Sequence, residues 1–374
     1  MHLVVLENQP SSQRGGQEIS LFDVCGELAK RGHRITLLYL QPGNLLESYQ
    51  QFCDRTIPIN HYRINSKNPI SSLLSFYQDM QKVNVQSDSL VYGNQYHDSF
   101  FGYLLARSHG VSYVSHLRLP PPPSLGWQWS LGIKGARRLI AVSHHTKQDW
   151  VAVGCRDRSI DVVHNGVDLE VFKPAGERSQ LCSQWQLPPN SFIISYIGRL
   201  DKVKGLETLI SAFSLLLKEK PALRLFIAGN PLLQKQAYRT ELEALARTLA
   251  IESQVTFLGH VADPIALYQL SDLTVLPSTW AEPLGRTLLE SMACGTPVVA
   301  SRTGGIPEVL TGEFAQALFQ PGEVADLAAK LRQFLAWRTA EPELGDRCRQ
   351  HIAKNFSIQK TVDQIESSLL STLN

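Results

Sequence analysis

Two glutamates, Glu282 and Glu290, stand eight positions apart on either side of a Pro283-Leu284-Gly285 turn that opens an amphipathic helix. A strand over 297–300 and a Gly304-Gly305 turn follow. Helix N-termini and glycine turns present free backbone N–H groups to anions. A carboxylate on the same turn accepts hydrogen bonds from hydroxyls. The combination suits a ligand that is phosphate at one end and sugar at the other.

A second group lies upstream in YIGRLDKVKGLETLI, where Gly198-Arg199 ends a strand and Lys204-Gly205 precedes a helix. Two fixed cations, Arg199 and Lys204, beside a helix N-terminus make a diphosphate site. Taken alone, such loop cations are more often solvated; the glycine at each end and the later glutamate pair favour the site. Cations there stabilise the charge that rises on a departing diphosphate, more in the transition state than in the ground state. Arg286 falls in the first turn of its helix, where a cation opposes the dipole. Either an anionic or hydroxyl-rich partner or a surface position accounts for it.

In the first half, the segment 12–18 joins the first strand to the first helix, and Gly15-Gly16 within it let a backbone approach a ligand without a Cβ. A glycine pair also serves ordinary turns. Arg14 beside it is a candidate acceptor contact. His116 ends the strand SYVSH, where it is either a reacting-site group or a hydrogen-bonded structural histidine.

In their order along nearly the whole chain, these segments resemble the retaining glycosyltransferases of family 4, which have the GT-B fold. The run ESMACGTPVVAS followed by GGIPE, with the spaced glutamates, is similar to the family's donor-site signature. Gly198-Arg199-Leu200 with Lys204-Gly205 is similar to its Gly-Arg-Leu…Lys-Gly, whose Arg and Lys hold the diphosphate. The resemblance implies Glu290 on the ribose hydroxyls, Glu282 near the donor sugar, and the amides of Leu284 and Gly285 on sugar and phosphate. It implies the base near Gly259 to Val261, Gly15-Gly16 as the first glycine loop among the donor-binding residues, and His116 near the reacting sugar. Ser143 and Asn165-Gly166-Val167-Asp168 match further landmarks, the latter as a structural turn.

The chain departs from the family at VYGNQYH, where a histidine often stands at Asn94 or Gln95; His97 is the substitute, or acceptor recognition differs. A second departure is Ala228-Gly229-Asn230-Pro231, in place of Gly-Asp/Glu-Gly-Pro. No Asp-x-Asp pair occurs, so cationic side chains stand in for the divalent ion that other glycosyltransferases use, and neither metal nor cofactor is expected. The resemblance thus implies retaining hexosyl transfer from a UDP- or GDP-linked sugar to a hydroxyl of a glycan, a lipid-linked glycan or a small molecule. Attack on the same face, with the leaving phosphate taking the acceptor's proton, removes the need for a glycosidase-like carboxylate pair. A non-catalytic nucleotide-sugar-binding partner subunit and a sugar-nucleotide epimerase of the same fold stay as alternatives.

The elements that position these residues follow from a βα rhythm. At 374 residues the chain fits two domains of roughly 100–200 residues each. Hydrophobic content of 43% and charged content of 19% describe a globular protein, and a net charge of +2 supplies no global field for nucleic acid. Apolar runs over 2–6, 34–39, 89–92, 113–116, 138–142 and 160–163 read as strands alternating with helices. The rhythm restarts with strands over 192–197, 224–228, 255–258, 273–276 and 298–300. This predicts an α/β fold of two Rossmann-like doubly wound domains facing across a cleft. The boundaries read as an acceptor-binding domain over 1–172, a linker over 173–190, a donor-binding domain over 191–356 and a C-terminal helix over 357–374. As in the family, that helix is expected to return to the first domain.

Six scattered cysteines without ligand spacing read as reduced thiols of a cytoplasmic protein. The N-terminal apolar run stops at Glu7, a strand and not a signal peptide, and no run approaches the ~18 apolar residues of a membrane span. Pro120 to Pro123 with Trp127 and Trp129 reads as a stiff connector. The tryptophans with Lys134, Arg137 and Arg138 either contact an anionic membrane surface peripherally, on its inner face, or pack into the first domain. Oligomeric state is left open.

Overall fold

Runs such as LVVL, ITLLY and FIISY have no alternating polar face, the pattern of strands covered on both sides of a parallel sheet. In the computed structural model, which describes residues 1–65, 67–176, 178–188, 191–220, 222–231 and 236–373, they form two parallel sheets. The chain divides between them into Met1–Asn165 together with the segment from Ile358 on, and Gly166–Ser357.

The first unit contains β1 (His2–Glu7), β2 (Arg34–Tyr39), β3 (Arg55–Pro58), β4 (Ser89–Gly93), β5 (Ser112–Leu117), β6 (Arg138–Ala141) and β7 (Ile160–Val162). Their order is β3-β2-β1-β4-β5-β6-β7, with Leu3 opposite both Ile35 and Leu90. The chain lays strands outward on one side of β1, then crosses back and builds from β4 the other way. The switch point lies between β1 and β4.

The second unit contains β8 (Phe192–Ile197), β9 (Leu223–Ala228), β10 (Val255–Gly259), β11 (Leu273–Leu276), β12 (Val298–Ser301) and β13 (Leu318–Phe319). Their order, β10-β9-β8-β11-β12-β13, puts its switch point between β8 and β11. Open α/β sheets bind ligands outside the carboxyl ends of their strands at such points.

Helix Ile358–Leu370 belongs to the first unit. Ile358, Val362, Ile365 and Leu369, at helical spacing, join the core of Leu3, Val5, Leu21 and Ile35. Each such burial contributes about 2 kcal/mol. Arg31 adds ion pairs to Glu366 at 2.6 Å and Asp363 at 2.7 Å.

Three sequence expectations change. The contact boundary falls after Asn165 rather than after residue 172. Within the expected linker 173–190, Glu177, Pro189 and Asn190 lie outside the described residues, but Arg178–Gln184 is a helix of the second unit. Cys182 buries beside Ile193 and Phe226, Trp185 stacks on Phe226 at 5.7 Å, and Arg178 donates to Asp272 at 2.6 Å. The expected connector around Trp127 is also a helix, Trp127–Gly135. Its Gly132 lies so close to Ser99 that a Cβ would come within 2.3 Å of the Ser99 backbone.

Candidate functional site

β8 runs into Gly198-Arg199 and its neighbour β11 into Pro277, so the two cation- and glutamate-bearing segments leave the second sheet side by side. They are stitched together. Gly205, at φ +67°, approaches Pro277 so closely that a Cβ would lie 2.1 Å from its carbonyl oxygen. The Thr279 amide donates to the Val203 carbonyl at 2.9 Å.

This seam brings Lys204 onto Glu282: the ammonium donates to Oε1 in a short ion pair and stands 5.5 Å above the Trp280 ring. The Ser278 hydroxyl donates to the same oxygen at 2.5 Å. No hydrogen bond to Oε2 is made among the described residues. Arg199 holds Asp201 at 3.3 Å, its carbonyl accepts from Tyr196 at 2.6 Å, and its Nε is buried without a partner among the described residues.

Glu290 accepts from Arg286 Nε at 2.7 Å and from the Tyr268 hydroxyl at 2.7 Å. Arg286 is therefore not a solvated surface cation: its side chain is 8% exposed, and it opens the helix Arg286–Ala293. Gly285 caps it at φ +93°, and Leu284 turns its side chain into the core, leaving its backbone for any ligand contact. The Gly304-Gly305 turn does not offer a free amide from Gly305. That N–H donates to the Glu282 carbonyl at 2.7 Å, so the turn braces Glu282.

The residues expected near the base lie where β8, β9 and β10 end. Gly229, at φ +136°, would place a Cβ 1.8 Å from the Gly198 carbonyl, and its amide donates to Gly259 at 2.6 Å. Val261, just past β10, packs against the cluster of Ile193, Phe226 and Ala228.

In the first unit, Gly15 caps the helix Gly16–Lys30 beyond β1. A Cβ on Gly15 would meet nothing closer than Glu18 Oε2 at 3.7 Å, so no packing demand explains the glycine. His116, expected near the reacting sugar, is fully buried; its Nδ1 shares a 2.5 Å hydrogen bond with the Tyr92 hydroxyl, and its Nε2 is covered and has no partner among the described residues. Burial, then Arg118, holds its pKa well below the ordinary value, so the ring is neutral. In this conformation it meets no solvent.

His97 stacks on Tyr96 at 3.9 Å and bonds Gln95 at 3.0 Å, its pKa pushed down to about 4 by burial and then by Arg63 and Arg14. Asn94, one of the two positions where a histidine often stands in the family, donates to Glu7 Oε2 at 2.7 Å and accepts from Arg118 Nε at 2.5 Å. Arg118 also donates to Asn165 at 2.8 Å, while Ser143 caps the helix His144–Ala152.

Sequence reasoning missed Glu7, Glu18 and Arg118 as a group. Glu7 ends β1 and Asn94 follows β4, so their contact spans the switch point of the first sheet. Burial, then Glu18, raises the Glu7 carboxyl to about 8; burial also raises Glu18. Among the described residues, Glu18 Oε2 and Arg118 Nη2 are buried without hydrogen-bond partners. A carboxylate ending an otherwise apolar first strand was the available signal.

The model for glycosyl transferases group 1 matches residues 178–354 and that for glycosyltransferase family 4 matches residues 14–171. A D-inositol 3-phosphate glycosyltransferase of Mycolicibacterium smegmatis is 34% identical over 71% of this chain, which spans 61% of that relative's length. An N-acetyl-alpha-D-glucosaminyl L-malate synthase of Bacillus anthracis is 27% identical over 94% of this chain and 93% of its own. In fold, the chain is similar to the Anabaena protein HepE, solved with UDP and glucose. Their TM-score is 0.85 at 24% identity, over 99% of this chain and 100% of that one.

Proposed function

The chain belongs to the group 1 glycosyl transferases of family 4, and from that premise we propose that it moves a hexose from a nucleoside diphosphate sugar to an acceptor hydroxyl, with retention. The observation that carries this reading is the junction of Lys204 and Glu282 at the switch point of the second sheet, with Arg199 alongside. The diphosphate lies against Arg199 and Lys204, whose charge meets the charge that accumulates as the anomeric C–O bond breaks. Glu282 orients the sugar through its second oxygen, and Glu290 receives the ribose hydroxyls.

The acceptor attacks the face the diphosphate leaves, and a departing phosphate oxygen takes its proton. Cationic side chains make the reaction independent of a divalent ion. His116 transfers no proton in this scheme, because its ring is covered. The first unit holds the acceptor: Glu18 Oε2 accepts from a hydroxyl and Arg118 Nη2 donates to one, a match to a polyhydroxyl molecule. The relatives named for D-inositol 3-phosphate and L-malate, both small hydroxyl-bearing molecules, support an acceptor of this class.

The test is nucleoside diphosphate release from a panel of UDP-, GDP- and ADP-sugars, with and without polyol acceptors, together with NMR of the product's anomeric centre. One donor is expected to turn over, with its configuration kept and its rate unaffected by EDTA. No release from any donor by a folded chain that still binds the nucleotide would make it a binding subunit. An inverted product removes retention, and loss of rate in EDTA removes metal independence.

A further inference from the structure

Helix Pro69–Gln81 is apolar on both sides. Phe76 faces the core with buried Ser72 and Asp79, while Ile70, Leu73, Leu74 and Tyr77, at helical spacing, form a second stripe that faces water. Ile70 is 77% exposed and Tyr77 60%. A surface helix ordinarily turns polar residues outward, and an exposed apolar stripe marks something that covers it.

The stripe continues onto helix Trp127–Gly135. Phe76 contacts Phe100 at 5.7 Å, and Phe100 meets Trp127 edge-on at 5.5 Å. The Gln128 side chain is hydrogen-bonded to the Ile64 backbone at 2.9 Å in both directions. Trp127, 66% exposed, leads the exposed series Trp127, Leu131 and Lys134 at helical spacing. Six of the twelve most exposed large hydrophobic side chains among the described residues lie on these two helices, so the patch is not scatter. Beside it, Leu73, Phe76, Tyr77, Met80 and Leu104 line a cavity of about 320 Å³ together with exposed Arg107.

Charge identifies the occupant. Residues 99–148 contain Arg107, Arg118, Lys134, Arg137, Arg138 and Lys147 and no Asp or Glu. Residues 59–87 add Arg63, Lys67 and Lys82, with one acid, Asp79, which is buried against Lys82 at 2.7 Å. Lys67, Arg107, Lys134 and Arg137 are exposed and form no ion pair among the described residues. A second copy of the same face would bring like charges together.

We propose that this face, Ile70, Leu73, Leu74, Tyr77, Trp127 and Leu131 ringed by Lys67, Arg107, Lys134 and Arg137, docks on an anionic phospholipid bilayer. The apolar stripe enters the boundary between headgroups and acyl chains, and the cations stay with the phosphates. Trp129 stays out of the contact: its ring packs on Tyr96 at 5.1 Å and under Arg63 at 4.6 Å. The inference stands apart from the reaction, since none of these residues belongs to either switch-point site.

Flotation of the full chain with phosphatidylcholine vesicles, with and without phosphatidylglycerol, tests it. Binding is expected to the anionic vesicles alone and to weaken at high salt. Leu74→Glu/Tyr77→Glu and, separately, Lys134→Glu/Arg137→Glu should each weaken it at least about tenfold. Val153→Glu, at an exposed position on another helix, should leave it unchanged. All substituted side chains are exposed, and unchanged melting confirms the variants are folded. Failure of the wild-type chain to float, or flotation of both double variants like wild type, overturns the proposal. So does a concentration-dependent dimer by sedimentation that Leu74→Glu breaks, which would give the face to a second copy.

Discussion

Lys204 and Glu282, 78 positions apart in the chain, meet in an ion pair whose side chains are only 15% and 8% exposed. The lysine is thereby held in place before any phosphate arrives, and a preorganised cation costs little to reorganise in the transition state. Lys204→Ala should lower kcat roughly 10²–10³-fold, the loss typical of one oxyanion donor. It should also lower the melting temperature, because Glu282 is left largely buried without its partner. Adding Glu282→Gln removes that stranded charge. The double variant is expected to melt closer to wild type while its turnover stays low. If turnover recovers together with stability, Lys204 is structural.

Glu290 is held on both sides, by Arg286 through Oε1 and by Tyr268 through Oε2. A carboxylate so fixed suits recognition of two adjacent hydroxyls without loss of side-chain freedom on binding. Nucleoside diphosphate at 100 times its Kd should stabilise the wild-type chain by about 2.7 kcal/mol. Hydrogen bonds to a charged group contribute about 1.5–3 kcal/mol, so Glu290→Ala should raise the Kd roughly 10–100-fold. Calorimetric titration reads this directly, and a Kd within about threefold of wild type would take the ribose from Glu290.

What the sequence made legible followed from local rules. FIISYI reads as a strand over the residues that form β8, because a strand covered on both faces has no polar alternation to blur its ends. The last helix was expected from the family, and Ile358, Val362, Ile365 and Leu369 supply the helical spacing that buries it. The helix Arg178–Gln184 was hidden, because Pro174, Gly176 and Pro188 punctuate its surroundings and its anchor, Asp272, lies 94 positions away. Glu290 and Arg286 were both singled out, yet their pairing was overlooked although four-residue spacing on a helix allows it. The first unit's polar group was invisible for a different reason. Glu7 acquires its meaning from Asn94, 87 positions on, which only the strand order brings beside it.

That polar group makes stability depend on pH. The Glu7 carboxyl titrates near 8 in the folded chain, against an ordinary value of 4.5. The folded state therefore holds a proton that the unfolded chain releases. Its contribution is fully present below about 4.5 and is lost as pH rises through about 8, with a ceiling of roughly 4–5 kcal/mol. Glu7→Gln removes the titration and gives up about 1 kcal/mol of hydrogen bonding to Asn8 or Asn94. Urea unfolding should find the variant less stable than wild type at pH 4, where the proton is bound in both states, and more stable at pH 8.5. Parallel curves at the two pH values would mean that Glu7 is ionised in the folded protein.

Two glycines separate backbone demand from ligand demand. At Gly229, φ is +136° and a Cβ would fall 1.8 Å from the Gly198 carbonyl, so Gly229→Ala must push β9 away from the loop that carries Arg199. Strain of that kind costs roughly 1–3 kcal/mol before the clash is counted, and nucleotide affinity should fall with stability. At Gly15 the backbone is extended, φ 164°, and a Cβ has open space to Glu18 Oε2 at 3.7 Å. Gly15→Ala should therefore leave melting within about 0.5 kcal/mol of wild type. If an acceptor approaches the Gly15-Gly16 backbone, the added methyl meets the acceptor instead, raising its KM while donor hydrolysis without acceptor is unchanged. Equal acceptor KM values for wild type and Gly15→Ala would move the acceptor away from this loop.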